Sequence, residues 1–585
     1  MVVSNAQNAP RASTLSGALS ACRGAFFGVG AVSLVINLLM LTGPMFMLQV
    51  YDRVLASRSV PTLIVLAGLA GALYVFFGLL EDLRGRSLLR IGQRLDTQLS
   101  GASFAAAVNL PVALGRRGAR LDPVRDLELV RQFLTGAGPA ALFDLPWMPL
   151  YLAIVFLLHP YLGFLALGGA TFIIALLVLN EATSRKPTQE LAGLNGQKVT
   201  TLTSVRRNGE VVSAMGMLET LTNRWNAGNQ RFLSRQQRAS DRALMFASIT
   251  KAFRFLLQSA VLGLGAWLVI RQEMSSGGMI AASIITSRAL APVEQAVAHW
   301  RGFVGARQAR RRLDEVPRAE THTPETELPA PHRDLKVEAL MVAAPGETTA
   351  LIQGASFRLA AGDGLGVIGP SGSGKTSLLR ALVGVWPTSR GAVRLDGSEL
   401  NQWTRTALGA SIGYLPQDVE LFEGTIAENI ARFEPEPASE AVLEAARLAG
   451  VHDLVAGMDK GYDTQIGEAG ARLSAGQRQR IGLARALYRS PFLIALDEPN
   501  SNLDAEGDAA LTQAIKAMRE KGSIVIVVAH RPSALAAVDT VLLMKDGRQA
   551  AFGPKQEVLD QLQKAQTQPQ PQAPAGSLKV VPQHA

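Results

Sequence analysis

Cysteine is all but missing from this chain: Cys22 is the one thiol in 585 residues. No intramolecular disulfide can form, and no metal cluster can be assembled from thiolates. A cleavable secretion signal is not expected either. Residues 1–24 are too short for a domain and lack the shape of a processed leader, so the first apolar run is expected to act as the membrane-targeting signal. Lys and Arg outnumber Asp and Glu by 58 to 48, giving a net charge of +10. Such an excess taken alone permits nucleic-acid binding, but its placement, traced below, argues against that.

What the chain does have is apolarity, at 48% of residues and a mean hydropathy of +0.17. It is concentrated before residue 300, in runs of about 20 residues, enough to cross a hydrocarbon core. These fall at roughly 25–49, 61–80, 140–158, 161–180, 246–270 and 278–297. Any one could be a buried core helix, but six together predict a helical membrane domain over 25–312. The last run is the most polar, with Ser283, Thr286, Ser287 and Arg288, and is expected to face a polar path or a partner. Segments Arg84–Arg131 and Arg185–Arg242 are long and rich in cations, whereas 51–60, 159–160 and 271–277 are short and carry few. The positive-inside rule puts the long segments and both termini in the cytoplasm. The basic excess therefore belongs to inward-facing loops, with turns near Pro111 and Gly216.

Residues 313–334 include the polar, proline-rich stretch Pro317–Pro331, which reads as a linker. A second domain over 335–564 follows, and a Gln/Pro-rich tail over 565–585 is expected to be disordered. Within that domain Gly369-Pro370-Ser371-Gly372-Ser373-Gly374-Lys375-Thr376 fits the G-x-x-x-x-G-K-[ST] phosphate loop. An apolar run at 364–368 precedes it, and an amphipathic run from Ser377 follows. Strand, loop and helix are the context the motif requires, with backbone N–H groups and a helix dipole converging on phosphate. Lys375 is expected to reach the β and γ phosphates, and Thr376 to ligate Mg²⁺. The buried run 492–496 ends in Asp497-Glu498. Acids at the carboxyl end of a central strand suit metal holding (Asp497) and activation of water (Glu498). A further apolar run, 524–528, leads to His530, placed to meet the γ phosphate.

Leu473-Ser474-Ala475-Gly476-Gln477 resembles the L-S-G-G-Q signature of ATP-binding cassette proteins, with Ala475 in place of the first glycine. Tyr414-Leu-Pro-Gln417 is similar to their glutamine loop, Ser501-Asn-Leu-Asp504 to the loop after the catalytic carboxylate, and His530 to the switch histidine. Gly467-Glu-Ala-Gly470 is similar to the stretch that precedes the signature in exporters. The resemblance implies ATP and Mg²⁺ as cofactors, with Thr376, Gln417 and Asp497 at the metal. Nucleotide contacts are implied for residues 369–377, Ser474, Gly476, Gln477 and Asp504, and catalytic roles for Lys375, Gln417, Glu498 and His530. One departure stands out: Ala344 occupies the place of the adenine-stacking aromatic before Pro345-Gly346. Base–aromatic stacking is worth about 1–3 kcal/mol in nucleic-acid binders, so a weaker hold on the base is expected. Each motif occurs once, so the resemblance implies a head-to-tail homodimer. Each composite site would take Lys375, Glu498 and His530 from one subunit and Ser474, Gly476 and Gln477 from the other.

The stretches Met45–Thr62, Phe143–Leu150 and Phe156–Pro160 resemble type 1 secretion ATPases, especially the protease and lipase exporters. That resemblance implies a six-span α-helical domain of the type I exporter fold followed by an α/β phosphate-loop domain. It further implies an inner-membrane exporter that moves an unfolded protein bearing a C-terminal signal, with a periplasmic adaptor and an outer-membrane channel. Membrane lipids, but no nucleic acid, complete the expected partners. No peptidase domain is expected before the first span, and Asp144 reads as a helix cap. Because the same engine serves many cargoes, export of lipids, drugs or peptides without an adaptor is the alternative.

Overall fold

The computed structural model describes residues 15–115, 117–315, 328–467, 470–529 and 532–567. His530 and most of the tail lie outside them. The chain divides into two compact units, Met1–Ala107 with Asp122–Val316, and Val108–Leu121 with Pro317–Ala585.

Among its described residues, the regular elements of the first unit are all helical. A short α1 (Leu15–Ala21) leads into α2 (Arg23–Leu39) and α3 (Thr42–Gln49), then a π-helical turn at Val50–Val54 and α4 (Leu55–Ser57). The next helix, α5 (Val60–Leu114), runs for 55 residues, about 80 Å at 1.5 Å per residue. Next come α6 (Pro123–Thr135), α7 (Gly138–Asp144) and α8 (Met148–Leu158). The long pair α9 (Pro160–Arg207) and α11 (Leu218–Ile270), joined through α10 (Gly209–Ala214), precedes α12 (Ser276–Glu315). A turn forms at Gly216, with φ +61°. Pro111, by contrast, lies inside α5, and the chain turns at Gly115 with φ +55°.

Among the described residues, five helical stretches are long and apolar enough to cross a membrane: Arg23–Ser57, Val60–Leu114, Gly138–Leu158, Pro160–Thr183 and Leu218–Ile270. The expected sixth, 278–297, is helical within α12 but is not among them. Burial explains why α12 tolerates polarity: Ala282, Ser283, Ile285, Thr286, Ala289, Leu290 and Val293 are enclosed by protein. Ala282, Ile285, Ala289, Leu290 and Val293 share the apolar core of α8, α9, α11 and α12 with Tyr151, Val155, Leu162, Ile173, Val261 and Leu268. The apolar part of α5 is the opposite case, with only 6% of its window buried.

Asp144 is more than a helix cap. Its Oδ1 and Oδ2 accept from Arg84 Nη1 at 2.8 and 3.1 Å, and Oδ1 also accepts from Asn37 Nδ2 at 2.8 Å. The Tyr151 hydroxyl donates to the Asn37 carbonyl at 2.7 Å. Arg84, Asn37 and Tyr151 are buried, so one polar network joins α2, α5, α7 and α8.

The second unit carries two sheets. The four-stranded one, ordered β2-β1-β4-β5, is antiparallel and is built from β1 (Asp334–Ala343), β2 (Ala350–Ala360), β4 (Arg390–Leu395) and β5 (Ser398–Glu399). The six-stranded one, ordered β10-β9-β3-β8-β7-β6, contains β3 (Gly364–Ile368), β6 (Ile412–Leu415), β7 (Leu493–Asp497), β8 (Ile524–Val528), β9 (Thr540–Lys545) and β10 (Arg548–Pro554). Strands β9, β3, β8, β7 and β6 run parallel, and β7 and β8 are buried at every position, as helices on both faces require. Those helices include α13 (Lys375–Leu382), α18 (Ala475–Leu487) and α19 (Ala505–Glu520), with α14 (Arg405–Ser411), α15 (Ile426–Ile430), α16 (Ser439–Leu448), α17 (His452–Ala456) and α20 (Lys555–Thr567) completing the set. Helix α20 thus runs a few residues past the expected domain end. The Gly115 turn belongs to this unit and lies against Pro345: a Cβ on Gly115 would come within 2.1 Å of the Pro345 carbonyl oxygen.

Candidate active site

Parallel register gathers the expected chemistry at one sheet edge. Val367 of β3 and Asp497 of β7 both pair with Val528 of β8, and Leu415 of β6 pairs with Leu496. The phosphate loop starts two residues after Val367 and Gln417 lies two residues after Leu415, so both leave the sheet at the level of Asp497-Glu498. Ligands of open α/β sheets bind at this carboxyl edge.

The loop 369–374 folds as its glycines demand. Gly369 has φ +150°, and a Cβ there would come within 2.1 Å of the Met544 carbonyl oxygen. Gly374 caps α13 at φ +95°, a conformation that L side chains avoid. Lys375, the first residue of α13, is buried, and its Nζ donates to the carbonyls of Gly369 and Pro370, both at 2.9 Å. Burial pushes this ammonium below its ordinary range, while Glu498 and Asp497 push it back. The buried Ser373 hydroxyl has no hydrogen-bond partner, as expected of a donor shaped for a phosphate oxygen.

Asp497 is fully buried. Both its carboxylate oxygens lack a well-formed hydrogen bond, and burial raises its proton affinity against the opposing pull of the Thr376 hydroxyl. An orphaned acid beside a hydroxyl fits Mg²⁺, a hard cation that binds through one or two carboxylates plus phosphates and water. Among the described residues no cluster of three or more His, Cys, Asp or Glu could hold a metal by itself. Glu498 adopts φ +48° and donates its N–H to the Val528 carbonyl at 3.1 Å. A non-glycine residue in the left-handed region is uncommon and turns its side chain away from the strand's alternation.

Ser474 and Gln477 form a reciprocal capping box. Ser474 Oγ accepts from the Gln477 N–H at 3.2 Å, and Gln477 Oε1 accepts from the Ser474 N–H at 2.9 Å. The box fixes the exposed start of the 13-residue α18, where the dipole favours an anion. Ala475 is exposed, so its extra methyl fits. Asp504 caps α19, accepting from the Gly507 N–H at 2.8 Å and from Arg480 Nη2 at 2.6 Å.

Sequence reading missed the residues that lock these loops together. Buried Gln479 donates to the Pro499 carbonyl at 2.9 Å, tying α18 to the turn after Glu498. Arg432 donates to the carbonyls of Gly409, Ile412, Arg485 and Ala486. A glutamine on the apolar side of an amphipathic helix was the available signal for Gln479; nothing local marks Arg432.

The family model described as "ABC transporter transmembrane region" matches residues 26–290, and the model "ABC transporter" matches residues 352–501. A type I secretion system ATP-binding protein, PrsD of Rhizobium meliloti (strain 1021), is 51% identical over 99% of both chains. A cyclolysin secretion/processing ATP-binding protein of Bordetella pertussis is 28% identical over 90% of this chain and 75% of its own length. The leukotoxin translocation ATP-binding protein of Mannheimia haemolytica is 29% identical over the same shares. A solved bacterial Atm1-family ABC exporter with ATP bound superposes with a TM-score of 0.76 at 23% identity, covering 94% of this chain and 100% of that one, which gives the type I exporter fold. A phosphate loop facing an orphaned acid, behind a helical membrane domain matched end to end by a secretion ATPase, places this chain among the ATP-binding cassette transporters, as an inner-membrane type I secretion exporter that couples ATP hydrolysis to transport.

Proposed function

We propose that two copies of the chain work head to tail, each composite site taking its phosphate loop, Asp497, Glu498 and His530 from one subunit and Ser474, Gly476 and Gln477 from the other. The capping box carries this reading: an exposed, capped helix start with anion-binding character suits the phosphates of a nucleotide. Isologous pairing of two chains supplies one at each site.

In this mechanism Lys375 exchanges its two carbonyl partners for the β and γ phosphates. Thr376, Gln417 and Asp497 would hold Mg²⁺, which would supply positive charge to neutralise that developing on the phosphates. Glu498 orients and deprotonates the attacking water, and His530 contacts the γ phosphate. Cassette closure drives alternating access in the membrane domain. The cargo is an unfolded protein with a C-terminal signal, handed through a periplasmic adaptor to an outer-membrane channel. This assignment is supported by the names of the toxin and type I secretion relatives.

Subunit mixing tests the pairing. Lys375→Ala and Ser474→Ala chains should each lose turnover alone, yet a mixture should regain part of it, because a heterodimer keeps one intact composite site. No recovery in co-assembled heterodimers would place all the catalytic groups within one chain. Cargo is tested by ATPase stimulation in lipid: a response to a protein's C-terminal segment supports secretion, and a response only to small amphiphiles favours a lipid or drug exporter.

A further inference from the structure

The hairpin formed by α2–α5 is held to the rest of its unit very unevenly. Its inward half is embedded. Cys22, Val29, Leu88 and Ile91 form a buried cluster against Phe143, Leu95 and Leu99 pack with Leu127, Val130 and Ala309, and Arg84 is locked to Asp144. Over residues 60–83 only Ala70 is buried. The outward half of α5 is therefore nearly free of the block formed by α8, α9, α11 and α12, whereas α3 and the π-turn pack against α12.

A polar joint lies at the outward tip of that contact. Asp52, in the π-helical turn, accepts through Oδ2 from the Ser275 hydroxyl at 2.6 Å and through Oδ1 from the Gly277 N–H at 2.8 Å. Ser275 Oγ in turn accepts from the Gly278 N–H at 3.0 Å. The carboxylate thus caps the start of α12 from a different helix, where the dipole favours negative charge. Gly277 is buried, and a Cβ there would come within 2.6 Å of Asp52 Oδ1 and 2.7 Å of the Leu48 carbonyl oxygen. The two segments touch at a spot that admits only glycine. π-Turns are rare and concentrate at functional sites, and this one presents Asp52. The neighbouring outward connections are joined separately, with His159 Nε2 3.5 Å from Glu273 Oε2 and Leu158 and Met274 packed on the shared core.

Asp52 and Ser275 are exposed, so water can replace their bonds at little cost, unlike those of Arg84. We infer that Asp52 is a releasable clasp: it ties the outward end of the α2–α5 hairpin to the start of α12 between transport events and lets go when cargo leaves, while the Arg84–Asp144 joint stays closed as the fulcrum. Because residues 51–60 and 271–277 face outward in an exporter, the inference rests on that reading.

The test uses the full chain in lipid, with Asp52→Cys and Ser275→Cys bridged by a short reducible bis-thiol reagent. Cys22 is buried, and treated wild-type protein controls for it. The bridged protein should still bind ATP but move cargo at least about tenfold more slowly, since a gating step would be blocked, and reduction should restore the rate. Transport by the bridged protein at the unbridged rate would overturn the inference. A second measurement leaves the clasp intact: spin labels at Arg58→Cys and Gln272→Cys, both exposed in the native chain, should move apart when Glu498→Gln protein is given ATP. An unchanged separation also overturns it. Absence of cargo transport by the wild-type protein would sink the exporter reading instead, and the label distance would still decide the clasp.

Discussion

Arg84 and Asp144 face each other in the interior of the membrane domain, with one guanidinium nitrogen 2.8 and 3.1 Å from the two carboxylate oxygens. Glu81 adds a second acid to Arg84 at 2.7 Å, and Asn37 a further donor to Asp144. A buried ion pair contributes little net stability, but removing one partner strands the other charge.

Asp144→Ala is therefore expected to destabilise the membrane domain by about 3–5 kcal/mol, while Arg84→Met combined with Asp144→Leu recovers most of that loss. Thermal unfolding in detergent reads both. A single variant that melts with the wild type would show the pair to be solvated.

Asp497 carries a pH signature. Burial raises its folded-state pKa above the unfolded value of about 3.9, despite the lowering influence of Thr376. For an acid shifted upward, the favourable neutral form is fully present below the unfolded value and is lost as pH rises through the folded one. The nucleotide-free protein should accordingly lose stability on going from acid toward neutral pH. Asp497→Asn should remove that dependence and melt higher at pH 7, with little difference from wild type below about pH 3.9. Equal melting at pH 7 would contradict this. Mg²⁺-dependent nucleotide binding should rise with pH across the same interval, because the metal needs the carboxylate.

Glu498→Gln should keep nucleotide and lower turnover by about 10²–10⁴, the usual contribution of a general base. Single-turnover ATP hydrolysis with radiolabelled nucleotide measures it. Turnover near wild type would move the base role elsewhere.

Lys375→Ala removes charge-assisted bonds worth about 1.5–3 kcal/mol each to the phosphates. Nucleotide affinity by equilibrium dialysis should fall at least about tenfold, and cargo transport should disappear with it. Unchanged affinity would mean that the lysine keeps its carbonyl partners when ATP is bound.

The second unit was largely legible because its chemistry is local in sequence. Strand runs at 364–368 and 524–528 coincide with β3 and β8, and the motif loops follow directly. The membrane domain was less legible where depth and contact decide. Residues 278–297 read as a weak span because hydropathy counts Ser283 and Thr286 as costs, yet both are buried against neighbouring helices. Asp144 looked like a cap because Arg84, 60 residues away, is invisible to any local pattern. A cation after one apolar run and a lone acid before another were the available clue. Asp52 gave no warning either, since its partners lie 223 and 225 residues further on.

Strand β8 holds no reactive side chain among its five apolar residues, yet Val528 pairs with both Val367 and Asp497 and accepts the Glu498 N–H. It acts as a ruler between the phosphate loop and the two acids. A one-residue insertion within it would turn the side chains beyond the insertion to the opposite face and disturb the register between the phosphate loop and the two acids, with every chemically active residue still present. A lesion that touches no catalytic group is thus expected to disable the ATPase.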